Sequence, residues 1–240
     1  MTKVPHLLLE GHNLSLMRQG NSIINGVSLN VGDTGICGLV GANGSGKTTL
    51  ISLMAGLIKP DAGEVRMTGV GGMTASSLRI GLMMQKPVIM RRTVFGNCDY
   101  VLVAQGIPAG ERKARIDEGL ALVKLHALKH QDARTLSSGE QQRMALARVL
   151  IADPGVLLCD EATSNLDPQS TRMIEAIVKA RAEAGLPVLW VTHNLAQLRR
   201  LASRVVFMDQ GRVLAEQDTT AFFDAPACQE VRDYLDFERV

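Results

Sequence analysis

A chain of 240 residues with a net charge of +2 has room for one large domain, or for a core with a smaller lobe, and lacks the strongly basic balance of a nucleic-acid-binding surface. No apolar run approaches the roughly 20 residues needed to span a bilayer. The opening MTKVPHLLLEGHN breaks its short apolar patch with Glu10, so it does not read as a signal peptide and a cytosolic protein is expected unless a partner holds it elsewhere. The cysteines, Cys37, Cys98, Cys159 and Cys228, form no close pair; Cys37 and Cys159 lie in apolar runs and read as small buried thiols.

In chain order, the region before Gly41 reads as short strands with turn signals at Gly20-Asn21, Asn25-Gly26 and Gly32-Asp33, which predicts a small antiparallel lobe. Strand-like runs then recur as ICGLV, GEVRM, RIGLMM, GVLLCD, PVLWVT, RVVFMD and RVLAE. Helical patterns lie between them at Lys47 to Leu57, Arg112 to Leu125, Gln141 to Ile151 and Ser170 to Ala184. Continuous apolar strands interleaved with helices predict an α/β fold with a mainly parallel sheet covered on both faces. From Thr93 to Leu150 the pattern is helical without a convincing strand, so approximately residues 93–150 are expected to be a helical lobe inserted into the core of one domain spanning 1–240.

GANGSGKTT, from Gly41 to Thr49, follows the strand-like TGICGLV and opens a helix, the context a phosphate-binding loop requires. The residues Gly41, Ala42, Asn43, Gly44, Ser45 and Gly46 would bring backbone N–H groups to phosphate oxygens. Lys47 would reach the terminal phosphates, and the Thr48 hydroxyl would bind Mg²⁺, with Thr49 completing the loop. GVLLCDE supplies a strand ending in Asp160, placed for the metal, and then Glu161, which can face a water. By itself Glu161 is better read as a solvated strand-end charge. His193 after PVLWVT and Gln85 after RIGLMM also end strands, and strand ends are where an open α/β sheet keeps its ligand. A second helix start, TLSSGEQQR, offers small polar residues and free N–H groups suited to another phosphate.

Together these motifs resemble the ATP-binding subunits of ABC transporters. GANGSGKTT is similar to the Walker A loop, Gln85 to the Q-loop glutamine and Leu136, Ser137, Ser138, Gly139 and Glu140 to the signature. VLLCDE is similar to Walker B with its glutamate, Ser164, Asn165, Leu166 and Asp167 to the D-loop, and His193 to the switch histidine. The resemblance covers nearly the whole chain. It implies ATP and Mg²⁺ as ligands, with Thr48, Gln85 and Asp160 at the metal and Glu161, His193 and Lys47 acting in hydrolysis. It also implies a homodimer in which each signature meets the partner's ATP, transmembrane permease subunits, a substrate-binding protein and a place on the cytoplasmic face of the membrane.

Two departures stand out. Ser138 and Glu140 replace the glycine and the glutamine usual in the signature, and no aromatic precedes Phe95, which leaves Arg18 near the adenine position. An arginine plane can stack on a base, though an exposed arginine needs no such role. QKPVIMRRTVFGNCDYVLV suits a permease contact, although part of it could serve the lobe's own core. The segment LKHQDAR lacks the acidic loop usual in exporters, which favours an importer. QKPVIMRRTVFGN and the closing FFDAP with VRDYLDFE resemble oxyanion importers, above all those for tungstate, with amino-acid importers as the alternative. A soluble ABC ATPase acting on DNA or the ribosome is the rival class, and the near-neutral charge disfavours nucleic acid. His126 and His130 in HALKH lack further ligands and are expected on the outer face of the helical lobe.

Overall fold

The computed structural model describes residues 7–32, 35–69 and 79–237. Asp33 of the last N-terminal turn signal, the residues before Leu7 and the closing Glu238 lie outside these ranges.

β1 (Leu7–Arg18) and β2 (Asn21–Val31) form an antiparallel hairpin. Gln19 and Gly20 close it with φ of 51° and 80°, the paired positive values that match the twist of the flanking strands. β4 (Ala62–Gly69) adds to the other edge of β1, giving a three-stranded sheet in the order β2-β1-β4. β1 is one 12-residue strand where the sequence pattern suggests only short ones. Register shifts between Gly11 and Leu14 and again around Leu16 break its alternation, yet Leu9, Leu14 and Leu16 all reach the core.

The second sheet has six strands in the order β5-β6-β7-β3-β8-β9, with β3 (Ile36–Val40), β5 (Ile80–Met83), β6 (Val156–Asp160), β7 (Val188–Val191) and β8 (Arg204–Asp209) parallel. β9 (Arg212–Asp218) turns back antiparallel at the edge. β3, β6 and β7 are buried along their whole length, as continuous apolar runs require.

Their alternation divides the interior in two. Leu157, Cys159, Val188 and Trp190 face a core shared with the helices between β5 and β6. Val156, Leu158, Leu189 and Val191 face a core shared with the three-stranded sheet and with α1 (Lys47–Met54).

Between β5 and β6 lie α2 (Val94–Ala104), α3 (Ala109–Leu122) and α4 (Ser138–Leu150), with two short 3₁₀ turns. α4 packs against α2, α3, α5 (Pro168–Glu183) and β5, and so ties this helical segment to the sheet. α6 (Leu195–Leu201), α7 (Thr219–Asp224) and α8 (Gln229–Phe237) cover β8 through Leu198, Phe207, Phe222 and Tyr234. Cys37, Cys98 and Cys159 are buried free thiols, as expected for the first and last. Burial pushes Cys37 up to about 11 and Cys98 up to about 12, which leaves them protonated and unreactive.

Candidate functional site

β5, β6, β7 and β3 are neighbours and parallel, so their carboxyl ends open at one edge. The chain leaves these ends through Gln85, Asp160 with Glu161, His193 and the loop from Gly41 to Gly46. Four motifs far apart in sequence are thereby gathered at one mouth.

The phosphate loop is built by close packing. A β-carbon on Gly41 would lie 1.9 Å from the Met208 carbonyl oxygen, so no larger residue fits there. α1 begins at Gly46 without a side-chain cap, which leaves the first-turn N–H groups of the helix for a ligand. Lys47 is buried, and its Nζ donates to the carbonyls of Gly41 (2.8 Å) and Ala42 (2.9 Å) and to Ser45 Oγ (3.3 Å). Its ammonium thus already sits inside the loop, a cationic cradle that fits a polyphosphate. Beside it, Thr48 Oγ1 donates to Asp160 Oδ1 over 3.4 Å. Burial raises the Asp160 pKa, and a hard divalent cation would offset that cost; hydroxyl and carboxylate oxygens are the donors Mg²⁺ prefers. The pair fits Mg²⁺.

Glu161 follows the last residue of β6 with a φ of 46°, the left-handed region that a non-glycine residue seldom adopts. Its amide donates to the Val191 carbonyl (3.1 Å), and its own carbonyl accepts from the amide and hydroxyl of Ser164. This turn aims the carboxylate at two candidates from other strands. Gln85 Nε2 donates to Glu161 Oε2 over 3.3 Å, and His193 Nδ1 lies 3.4 Å from Glu161 Oε1. Gln85 is therefore placed against Glu161, the residue that follows Asp160. An open cavity of about 600 Å³ borders these side chains and continues along Asn165, Leu166 and Asn194.

The Leu136–Glu140 stretch is a separate construction. Leu136 is buried, and Ser137 caps α4 in a reciprocal box: Glu140 N donates to Ser137 Oγ (3.4 Å), while Glu140 Oε2 accepts from Ser137 N (2.8 Å) and Ser137 Oγ (2.7 Å). Those bonds hold the Glu140 carboxyl below the usual carboxylate range. Ser138 is exposed in the first turn. A β-carbon on Gly139 would lie 2.4 Å from Ser170 Oγ and 2.8 Å from Asp167 Oδ2, so this glycine is needed for the approach of α5. Asp167 caps α5 through Gln169 N and Ser170 N, and Arg143 Nη1 donates to Ser170 Oγ. Residues 136–140 and 164–167 therefore form one packed unit within the chain.

Arg18 ends β1 at the hairpin tip, exposed, opposite Asn21. Two residues on from Asn21, the Ile23 carbonyl lies against Gly46, which puts the hairpin on the phosphate-loop side. His126 is exposed, with Nε2 3.2 Å from Asp117 Oδ1, and among the described residues no group of three potential ligands could hold a metal.

The ABC transporter family model matches residues 24–164. The chain belongs to the ABC transporter ATP-binding cassettes. The methionine import ATP-binding protein MetN of Caulobacter vibrioides is 39% identical over 225 residues, which cover 90% of this chain and 68% of that protein. MetN of Latilactobacillus sakei is 36% identical over 227 residues, which cover 91% of this chain and 66% of that one; the cassette thus spans about two-thirds of these relatives' length. Among solved structures, a dimeric ATP-binding cassette with bound ADP and Pi superposes with a TM-score of 0.77 at 25% identity, covering 88% of this chain and 98% of that one. An ATP-binding subunit of an ABC transporter reaches 0.81 at 21% identity, covering 97% of this chain and 100% of that one. The α/β cassette with its antiparallel lobe is thereby confirmed, and the chain is an ABC-type ATPase.

Several positions contribute that the sequence motifs do not mark. Gln142 Nε2 donates to the Met84 carbonyl (3.0 Å) and Arg148 Nη1 to the Val88 carbonyl (2.8 Å), so α4 of this cassette grips the segment that carries Gln85. Gln142 lies on the buried face of α4 between Gly139 and Leu146, and a polar residue at an apolar helical position was the available signal.

Proposed function

We propose that this cassette binds and hydrolyses ATP to drive import of an amino acid, of the methionine class, through a membrane permease. The observation that carries the hydrolytic part is the convergence of Gln85 and His193 on Glu161 beside the Lys47 loop and the Thr48–Asp160 pair. Lys47 and the α1 N-terminus stabilise the charge of the transferring phosphoryl group. Mg²⁺, held by Thr48 and Asp160, supplies further charge neutralisation when bound. Glu161 orients or deprotonates the attacking water, and His193 contacts the γ-phosphate. Gln85 reports the state of that site to α4 through the segment that Gln142 and Arg148 hold. Arg18 stacks on the adenine.

The second phosphate site belongs to a homodimer, in which Ser137, Ser138 and Gly139 of one cassette meet the ATP of the other and Asp167 couples the two sites. The dimeric cassette with ADP and Pi supports this arrangement. For the permease contact, Met84, Val88, Tyr100 and Val103 are exposed on the Gln85 segment and on α2, whereas Val94, Cys98 and Leu102 serve the core. Among the described residues no helix is long and apolar enough to cross a membrane. The likeness to import ATP-binding proteins supports a peripheral subunit on the cytoplasmic face that works with a permease and a substrate-binding protein.

The oxyanion expectation finds no support among the relatives, whose names give methionine import; the amino-acid alternative is favoured over tungstate. An ATPase never touches the cargo, so short stretches such as QKPVIMRRTVFGN carry little information about it. Glu161→Gln should leave ATP binding intact, abolish turnover and trap a dimer; unchanged turnover would remove Glu161 from the catalytic role. Deleting the chain should lower uptake of labelled methionine and leave tungstate uptake unchanged, and the reverse pattern would restore the oxyanion reading.

A further inference from the structure

Glu161 and His193 stand on two different loops, after β6 and after β7, and His193 is largely exposed. What holds these loops in register lies beneath them. Gln197, in the first turn of α6, is only 4% exposed and bonds through both ends of its carboxamide. Its Oε1 accepts from Trp190 Nε1 (3.1 Å) and Thr192 Oγ1 (2.7 Å), and its Nε2 donates to Thr163 Oγ1 (2.8 Å) and Glu175 Oε1 (2.7 Å). An indole N–H only donates, and the Glu175 carboxylate, paired with Arg200 at 2.5 and 2.8 Å, only accepts, so one orientation of the amide satisfies all its partners.

The backbone around it is bound in the same way. Gln197 N donates to Asn194 Oδ1 (2.9 Å), and Asn194 N donates to Thr192 Oγ1 (3.0 Å), so both neighbours of His193 are tied to Gln197. Thr163 stands two residues after Glu161 and opens the turn that leads to Asp167. One buried amide thus binds the Glu161 loop, the His193 loop and α5, which Asp167 caps.

We propose that Gln197 is a positioning residue for ATP hydrolysis, fixing the His193 loop relative to the Glu161 loop and the 164–167 turn. The proposal rests on the reading of Glu161 and His193 as the hydrolytic pair. None of the Gln197 hydrogen bonds goes to the phosphate loop, so its loss should act on turnover rather than on nucleotide affinity.

The chain's single tryptophan is one of the four partners, which provides an optical report of the same contact. The test measures ATP hydrolysis, nucleotide binding and Trp190 emission for the native chain and for Gln197→Leu, Gln197→Glu, Glu175→Gln/Gln197→Glu and His193→Ala. Gln197→Leu should lower kcat by about tenfold or more, keep KM within about threefold and alter Trp190 emission.

Gln197→Glu keeps the side-chain shape and so covers the case in which the leucine variant fails to fold. It sets a second carboxyl against Glu175, with Arg200 on α6, Arg172 and Lys179 on α5, Glu161 and His193 as further charged or titratable groups nearby. Two facing carboxyls share a proton at low pH and repel once both ionise. The kcat of this variant should therefore fall relative to native as pH rises, and Glu175→Gln/Gln197→Glu, which restores one amide facing one carboxyl, should abolish that fall. Native kcat in Gln197→Leu beside an inactive His193→Ala, or a Gln197→Glu profile that follows the native one, would overturn the coupling alone. Native kcat in His193→Ala would overturn the hydrolytic reading beneath it.

Discussion

Two helix starts in this cassette carry the same resource, unpaired N–H groups at the positive end of a helix, and use it differently. α1 begins at a glycine with no side-chain cap, beside a buried lysine already folded into the loop. α4 begins at Ser137, exposed and reciprocally capped by Glu140. The first is complete as a phosphate cradle within its own chain. The second has its capping hydroxyl engaged by a carboxylate, so phosphate must compete with a bond the chain makes to itself. In the proposed dimer, α1 would hold the chain's own ATP and α4 would engage only the ATP held by the partner.

The largest expected effect falls on α1. Lys47→Ala should weaken ATP binding by roughly a hundredfold or more, since it removes a preorganised charge aimed at phosphate. Equilibrium binding of a fluorescent ATP analogue checks this, and near-native affinity would show that the cradle does not depend on its ammonium.

On the α4 side the leading change is Gly139→Val. Its branched side chain would enter a space where even a β-carbon lies 2.4 Å from Ser170 Oγ, so α5 must move away. Overpacking of this kind costs about 1–3 kcal/mol. Thermal unfolding should drop accordingly, and turnover should fall while ATP affinity stays close to native.

Glu140→Gln should have a smaller effect that separates the two starts directly. A glutamine keeps the capping geometry and removes the charge, at a stability cost of about 0.3–1 kcal/mol through the helix dipole. ATP-dependent dimerisation should tighten, because a negative group no longer stands beside the incoming phosphate. Sedimentation with ATP reads this, and weakened dimerisation would contradict the competition between Glu140 and phosphate.

The smallest expected effect is the response to acid. Hydrogen bonds from Arg134 hold Asp132 down to about 2, and bonds to Ser137 and Ser170 lower Glu140 and Asp167. A carboxyl depressed in the folded state stabilises above its unfolded pKa, near 4. That contribution fades as pH falls through the lower folded value. The helical segment and the α5 cap should therefore loosen between about pH 4 and pH 2, while nucleotide-free α1, which has no acidic cap, changes less. Hydrogen exchange across that window would show it.

Much of this was legible in the sequence because the deciding features are local. GANGSGKTT is a loop whose glycines and lysine act within a few residues, and the apolar runs of β3, β6 and β7 announce a buried parallel sheet. TLSSGEQQR reads as a helix start from its small polar residues alone, whereas the box that Glu140 closes on Ser137 is a finding of the structure. The rest depends on contacts between distant segments. The order β5-β6-β7-β3 brings Gln85, Glu161 and His193 together, yet no single strand shows which neighbour it will take. Gln142 is marked only by its apolar helical position, and Gln197 looks like an ordinary helical glutamine until its carboxamide is seen bonded to Trp190. Cargo is the hardest to read, since no side chain of an ATPase contacts it, which is how residues that resemble an oxyanion importer came to stand in a relative of methionine import proteins.

The central claim, that the Leu136–Glu140 helix start serves the partner's ATP rather than its own, is tested most directly by mixing two inactive variants. One carries Lys47→Ala and the other Gly139→Val, so each homodimer has two defective sites. In the mixed dimer the intact phosphate loop of the second chain faces the intact signature of the first. Hydrolysis restored on mixing is the predicted result; a mixture as inactive as its components would contradict the account.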